Sequence, residues 1–281
     1  MNVGAVEEAA YNNAVWCDAV CSTHSGQGEF TQDYWLRGRQ QSTDRPEQHN
    51  TLINPVLPMR ADSVKSFRVL SCHGAPKFYP DLVTLTGAAS SARQVDALAT
   101  LLRTAPDRSL SVKDSFGCLD LEPFCFRPLF DAEWLVASEL KISCPDDAGK
   151  VRWVLINDDV ELVRWEQAWR QGSDKNDIPI FRPELLVKPN VRFVYGFVEG
   201  VPVGGGILNA TRDITGLSNV FASGITTEAV MQGLAMIARA WRPGRSLVTY
   251  ESGAELAAAR RVGFEAVGRL RIWHRVVDKV G

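Results

Sequence analysis

The second half of the chain has a hydrophobic pattern that predicts alternating strands and helices. Residues 192–198 alternate apolar and polar side chains, Glu199-Gly200 makes a tight turn, and residues 202–209 continue the alternation, which predicts a β-hairpin. The spacing of Val230, Leu234 and Ile237 predicts a helix over 227–241. The other predicted elements of this half are strands at 153–156, 217–222, 246–250 and 270–276, and helices from Asp158 or Asp159 to 172 and at 254–262.

The first half has a similar but less regular pattern. It predicts helices over 3–23 and 91–103, a short helix after 113, and strands at 30–36, 67–72, 82–85, 110–113 and 129–136. Residues 37–65 are rich in Gln, Asp, Pro and Ser, which predicts a long polar loop. Strands and helices in this order predict an α/β protein with mixed sheets and helices on their faces.

The two halves are related by an internal similarity. A shift of 137 positions lays residues 83–115 over 220–252 without a gap. The coincident pairs are Val83/Val220, Gly87/Gly224, Ala92/Ala229, Pro106/Pro243, Arg108/Arg245, Ser109/Ser246, Leu110/Leu247 and Ser115/Ser252. We interpret this as a repeat, with halves at 1–140 and 141–281 and a boundary near 139–150. The alternative, that two α/β units share residues because both need caps and breakers, stays open.

Composition narrows the classes of function. The chain has 31 basic and 33 acidic side chains and a net charge of −2, so no global positive field attracts DNA or anionic lipid. The amino terminus carries Glu7 and Glu8, and no run approaches the roughly 18 apolar residues of a membrane span. Six scattered cysteines are typical of reduced thiols, so we expect a cytoplasmic protein without membrane partners.

Residues 192–275 resemble the GNAT acyltransferase superfamily. The resemblance rests on the Glu199-Gly200 hairpin, the strand Leu217-Ser218-Asn219-Val220-Phe221 and the ending Ala259-Arg260-Arg261-Val262-Gly263-Phe264. The opening Asn12-Asn13-Ala14-Val15-Trp16-Cys17-Asp18-Ala19-Val20-Cys21 and the later Phe78-Tyr79-Pro80 are similar to a bacterial group of GNAT-like proteins. The resemblance implies two tandem GNAT-like mixed sheets flanked by helices, and transfer of an acyl group to a small-molecule amine.

The resemblance also implies acyl-coenzyme A as co-substrate, with its diphosphate at a glycine-rich turn before a helix. In the second half the matching turn, residues 222–228, has only Gly224 and places the acidic Glu228 there. The superfamily's general-acid tyrosine corresponds to Ala259. This half is therefore predicted to be a poor coenzyme A site.

The first half has a turn of small residues that is more favourable to a phosphate. Gly87, Ser90, Ser91 and Arg93 are its candidate cofactor-binding residues, for acetyl-coenzyme A or another acyl-coenzyme A. The structural alternative is a capped helix start with Ser90 or Ser91 at the N-cap. If either half retains an anion site, we expect it here.

Polar residues at strand ends are the candidate catalytic groups, because ligands of open α/β sheets bind at strand ends. Glu251 is the candidate base, Tyr250 the proton donor and Asn219 an orienting amide, and Asp114 holds the equivalent position in the first half. The alternative, that Glu251 or Asp114 caps the following helix, stays open.

Three kinds of function remain open at this level. The first is a GNAT-like N-acyltransferase. The second is an aminoacyl transferase resembling the Fem family, which takes its acyl group from aminoacyl-tRNA and needs no coenzyme A turn. The third is a non-catalytic protein that binds a ligand in the same cleft. Cys17, Cys21 and His24 share a helical face with metal-ligand spacing, but we favour core positions there and expect no metal.

Overall fold

The computed structural model describes residues 2–38, 76, 78–138, 150–171 and 178–277. The helices are α1 (Val3–Ser25), α2 (Ser91–Thr104), α3 (Asp159–Trp169), α4 (Thr227–Trp241) and α5 (Gly253–Val262). The strands are β1 (Glu29–Phe30), β2 (Tyr34–Leu36), β3 (Leu82–Thr84), β4 (Leu110–Asp114), β5 (Arg127–Ala137), β6 (Arg152–Leu155), β7 (Val191–Val198), β8 (Val201–Ala210), β9 (Ile214–Ala222), β10 (Ser246–Glu251) and β11 (Glu265–Arg275). The predicted loop at 37–65, the strand at 67–72 and the boundary at 139–150 lie wholly or mostly outside the described residues.

Local signals set the ends of several helices. The Asp158 side chain accepts a hydrogen bond from the Glu161 amide, so Asp158 is the N-cap of α3, one of the two caps predicted. Thr226 caps α4 in the same way through the Ala229 amide. Helix α5 ends at Gly263, whose φ of 108° is a left-handed conformation that favours glycine.

The described strands form one 11-stranded mixed sheet with the order β1-β2-β3-β4-β11-β5-β10-β9-β8-β7-β6. Strands β7, β8 and β9 run antiparallel, and β9 then pairs with β10 in parallel after the α4 crossover. Strand β3 likewise pairs with β4 in parallel, with α2 between them in the chain. The predicted α/β class, a mixed sheet flanked by helices, is confirmed.

The centre of the sheet is formed by β11 and β5, which are distant in sequence. Strand β11, the last of the second half, lies between β4 and β5 of the first half. Strand β5 in turn lies between β11 and β10 of the second half. Four described strands, β1 to β4, lie on one side of the β11–β5 pair, and five, β6 to β10, lie on the other. The duplication and the division into two halves remain predictions.

Helices cover both faces of the sheet. Helices α1 and α3 pack on one face, where Trp16, Trp165 and Phe193 belong to a large apolar core. Helices α4 and α5 pack on the opposite face around Leu234 and Val262, and α2 packs there on β3, β4 and β11. None of the described helices is long and apolar enough to cross a bilayer.

Helix α1 crosses the middle of the sheet and contacts β8 and β4 through adjacent asparagines. The Asn12 amide donates to the Asn209 carbonyl oxygen at 3.1 Å and to the Thr211 hydroxyl at 3.0 Å. Asn209 Nδ2 donates back to Asn12 Oδ1 at 2.9 Å and to the Asn12 carbonyl oxygen at 3.1 Å. Asn13 Oδ1 accepts a hydrogen bond from Lys113 of β4 at 2.7 Å. The helix thereby contacts both β8 and β4.

Candidate functional site

Strands β9 and β10 separate partway along their length. Their parallel pairing runs from Ser246 opposite Ile214 only to Val248 opposite Gly216. Beyond that point β10 continues beside β5, where Glu251 lies opposite Glu133. The β8–β9 register also shifts between Gly205 and Ile207, next to Asn219, whose φ is 52°. The sheet therefore opens between the two strands.

Two cavities lie at this opening. The larger, of about 350 Å³, lies against α1 and α3, with Trp16, Trp169 and Asn219 in its wall. The smaller, of about 190 Å³, lies against α4 and α5, with Thr227, Met231 and Glu255 in its wall. Trp169, Val220 and Glu251 line both cavities. Glu251 thus borders both cavities.

Glu251 is the last residue of β10, and the pKa of its carboxyl group is unusually high. Its removal from water raises the pKa from 4.5 to about 7, and the charge of Glu255 acts in the same direction. The Thr249 hydroxyl donates to Glu251 Oε1 at 2.8 Å and opposes this rise. A carboxyl group with a pKa near 7 exists in both protonation states at neutral pH, as a general acid or base requires.

Lys113 places an ammonium group in the wall of the larger cavity. Its side chain comes from β4 and only 3% of the residue is exposed. Nζ donates to Asn13 Oδ1 at 2.7 Å and lies 4.0 Å from the centroid of the Tyr250 ring. Across the described part of the chain, no carboxylate lies within ion-pair distance of Nζ.

The remaining polar wall of the larger cavity comes mainly from β9 and its neighbours. The Tyr79 hydroxyl donates to Asn219 Oδ1 at 3.4 Å, and burial raises the pKa of Tyr79 well above its usual range. Tyr250 packs edge-on against Trp134 and lines the cavity. Ser218 Oγ is buried and has no hydrogen-bond partner among the described residues. Three of the predicted catalytic residues, Glu251, Tyr250 and Asn219, are thus brought together.

Asp114, the fourth predicted catalytic residue, lies apart from both cavities. It is fully buried, and its carboxylate accepts hydrogen bonds from the amides of Phe116 at 3.3 Å and Leu119 at 2.8 Å. Burial raises the pKa of Asp114. These contacts fix the turn after β4, so the two halves differ in what they place at this strand end.

The predicted cofactor-binding turn of the first half already holds a carboxylate. Arg93 Nε donates to Asp33 Oδ2 at 2.6 Å, and a second guanidinium nitrogen contacts Asp33 Oδ1 at 3.1 Å and Ser90 Oγ at 3.0 Å. This pairing holds the pKa of Asp33 below its usual range. Gly87 lies against the Phe116 ring, and Ser91 contacts Cys118 at 3.7 Å. The Ser90 side chain makes no capping hydrogen bond.

At the equivalent turn of the second half an acid is also paired with an arginine. Glu228 in the first turn of α4 is paired with Arg261 of α5. The Thr226 hydroxyl accepts from the Ala229 amide, so one of the free amides at this helix start is used. Neither turn, as the described residues form it, fits a coenzyme A diphosphate, because one carries Asp33 and the other Glu228.

The cysteine and histidine face of α1 is part of the core. Burial raises the pKa of Cys17 to about 11 and that of Cys21 further, so both thiols are protonated at neutral pH. His24 Nε2 lies 2.8 Å from the Ile180 carbonyl oxygen. Within the described ranges, no cluster of three metal-ligating side chains occurs.

Lys113 and Tyr79 belong to the cavity wall and were not predicted from the sequence as site residues. The signal for Lys113 lies in β4, where Leu110 and Val112 pack on the α2 core. Alternation then points Lys113 to the face covered by α1, where a lysine is unusual. No comparable signal marks Tyr79, because its position follows from the contact with Asn219 across 140 residues of sequence.

Comparisons place the fold beside known structures. Neither a protein-family model nor a curated protein matches the chain. A GCN5-related N-acetyltransferase from Kribbella flavida is 15% identical over 69% of this chain and 80% of its own, with a TM-score of 0.47. One from Sphaerobacter thermophilus is 12% identical over 66% of this chain and 67% of its own, with a TM-score of 0.45.

A tandem GNAT protein from the clavulanic acid biosynthesis pathway is also similar. It is 15% identical over 72% of this chain and 75% of its own, with a TM-score of 0.44. At such identities these likenesses concern the fold, and no activity of those proteins is transferred to this chain.

Proposed function

We propose that the protein is an N-acyltransferase that moves an activated acyl group onto a small-molecule amine, with Glu251 as the general base. The observation that carries the proposal is the position of Glu251 in the walls of both cavities. A carboxyl group placed there is reachable by a donor from one face and by an acceptor from the other. The cytoplasmic location, the bacterial source and the tandem origin of the two halves remain predictions.

The proposed step follows from the chemistry of an amine. The deprotonated carboxylate of Glu251 takes a proton from the attacking ammonium group, and the freed nitrogen forms a bond with the acyl carbonyl carbon. The bond from that carbon to the sulfur or oxygen of the donor breaks, and the leaving group carries away the electron pair. The nitrogen loses a second proton as the amide forms, and this proton passes through the Tyr79 or Tyr250 hydroxyl group of the larger cavity to the leaving group.

Acyl donors that do not depend on a helix-start diphosphate site suit this geometry best. Donor screening compares aminoacyl-tRNA with acetyl-coenzyme A and longer acyl-coenzyme A species, each with a mixture of primary amines, and mass spectrometry detects the N-acyl product. Glu251→Gln is expected to lower the rate by about 10²- to 10⁴-fold, as loss of a general base does. Glu265→Gln removes an exposed carboxylate that lines neither cavity and is the control. A wild-type rate in the Glu251→Gln variant contradicts the role of Glu251.

A second function, ligand binding without catalysis, is favoured by one observation. Both helix-start turns carry an acid where a diphosphate would bind, Asp33 in one and Glu228 in the other. A binding protein needs no acyl donor, so it does not need a diphosphate site at either turn. Product formation with any donor excludes it, whereas thermal stabilisation by small amines without any product supports it, because a ligand that binds only the folded state stabilises it.

A further inference from the structure

The larger cavity contains a cation that has no carboxylate partner among the residues that the structure describes. The Lys113 ammonium group is buried, yet its contacts are the Asn13 amide oxygen and the face of the Tyr250 ring, which are both uncharged. Removing an ammonium group from water is costly unless an opposite charge compensates it. Because Lys113 lines a cavity, a ligand is able to supply that charge.

The rest of the wall indicates which kind of ligand complements it. Ser218 Oγ is buried in this wall without a partner among the residues that the structure describes, and a ligand oxygen satisfies such a group. Trp16, Phe130 and Ile272 give the same cavity apolar walls. A single lysine matches a single negative charge better than a phosphate dianion, which favours a carboxylate.

We propose that the larger cavity binds an amine that also carries a carboxylate and an apolar body, as an apolar amino acid does, with the carboxylate on Lys113. The choice of the amine as acyl acceptor rests on the proposed function, since it places the nitrogen near Glu251. The carboxylate contact does not depend on that function, because it needs only the cavity and Lys113. A volume of about 350 Å³ is within the range of small-molecule sites.

Binding is measured by isothermal titration calorimetry with L-phenylalanine, L-leucine and L-methionine, each beside its carboxamide. The carboxamides keep the shape and the amine but remove the negative charge. The wild-type protein is expected to bind at least one amino acid about tenfold or more tightly than its carboxamide, as a charged hydrogen bond provides. Equal affinities, or no binding by any of the amino acids, overturn the proposal without any need for a variant.

Two lysine variants test whether Lys113 is the residue that distinguishes the amino acid from its carboxamide. Lys113→Met keeps the length of the side chain and is expected to bind the amino acid and its carboxamide equally. Lys188→Met makes the same change of net charge away from both cavities and is expected to keep the tenfold preference. If Lys113→Met folds and retains the preference, the carboxylate is bound elsewhere and the proposal fails.

Failure of this inference can be distinguished from failure of the proposed function. Glu251→Gln is expected to keep the preference for the carboxylate while it loses acyl transfer, because the two groups contact different parts of the ligand. If the wild-type protein acylates no amine but prefers carboxylates over carboxamides, the proposed function fails and this inference stands. If it acylates amines with and without a carboxylate at equal kcat/KM, the inference fails and the proposed function stands.

Discussion

The paired amides of Asn12 and Asn209 are predicted to hold α1 on the sheet. Asn12→Ala removes three side-chain hydrogen bonds, to the Asn209 carbonyl, the Thr211 hydroxyl and the Asn209 amide. Each buried neutral hydrogen bond contributes about 1 kcal/mol, so the variant is expected to lose about 3 kcal/mol of unfolding free energy. Asn209→Ala removes two such bonds and is expected to lose about 2 kcal/mol.

Urea denaturation followed by circular dichroism measures both losses, and the double variant completes a thermodynamic cycle. Because the bond from Asn209 Nδ2 to Asn12 Oδ1 is counted in both single variants, the double variant is expected to be less destabilised than their sum by about 1 kcal/mol. Asn157→Ala, in which an exposed amide is removed, is the control and is expected to change stability by less than about 0.5 kcal/mol. A loss for Asn12→Ala as small as that of the control, or strict additivity, refutes the reasoning.

Three further predictions concern charge, pH and packing. Asp81→Ala leaves the buried guanidinium of Arg37 without its carboxylate and is expected to lower the unfolding free energy in urea by about 3–5 kcal/mol. The folded-state pKa of Glu251 is raised from 4.5 to about 7, so its contribution to stability is present below pH 4.5 and is lost as the pH rises to 7. Glu251→Gln is expected to remove this decline, which thermal melts between pH 4.5 and 7 measure. Gly233→Ala places a Cβ in steric conflict with the Trp153 ring and is expected to lower the unfolding free energy in urea by about 1–3 kcal/mol.

Each of these predictions has a control and a contradicting outcome. Asp131→Ala breaks an exposed ion pair with Arg271, and a loss for Asp81→Ala no larger than this one contradicts the first. Parallel pH profiles of the wild type and Glu251→Gln contradict the second. Gly4→Ala, where the new Cβ meets only Asn2 Oδ1 at 3.9 Å, is the packing control, and equal stabilities of the two alanine variants contradict the third.

Elements whose signals are local were predictable from the sequence. The helix over 227–241 has the bounds of α4, and the predicted hairpin at 192–209 corresponds to β7 and β8. Periodicity and turn residues are contained within each of these segments, so no distant contact is needed to place them. Strand 30–36 was less accurate, because residues between β1 and β2 form a turn in which the Thr31 hydroxyl accepts from the Asp33 and Tyr34 amides.

Features that depend on distant pairing were not predictable. The central positions of β5 and β11 depend on which strands they pair with, and the alternation of side chains within a strand does not specify its neighbours. Arg93 was favourable to a phosphate on its own, and only the fold brings Asp33, 60 residues away in sequence, onto its guanidinium. Glu251 was identified from its place at a strand end, whereas the lysine that shares its cavity comes from β4 in the other half.

The position of β5 has a consequence for synthesis on the ribosome. Both sheet neighbours of this strand, β10 and β11, are translated more than 100 residues after it. Until they emerge, the nascent polypeptide exposes the backbone of Arg127–Ala137 as an open template for other chains. Contacts so distant in sequence also slow folding. We therefore expect the protein to need chaperones, or rapid completion of translation, more than a chain whose strands pair in the order of synthesis.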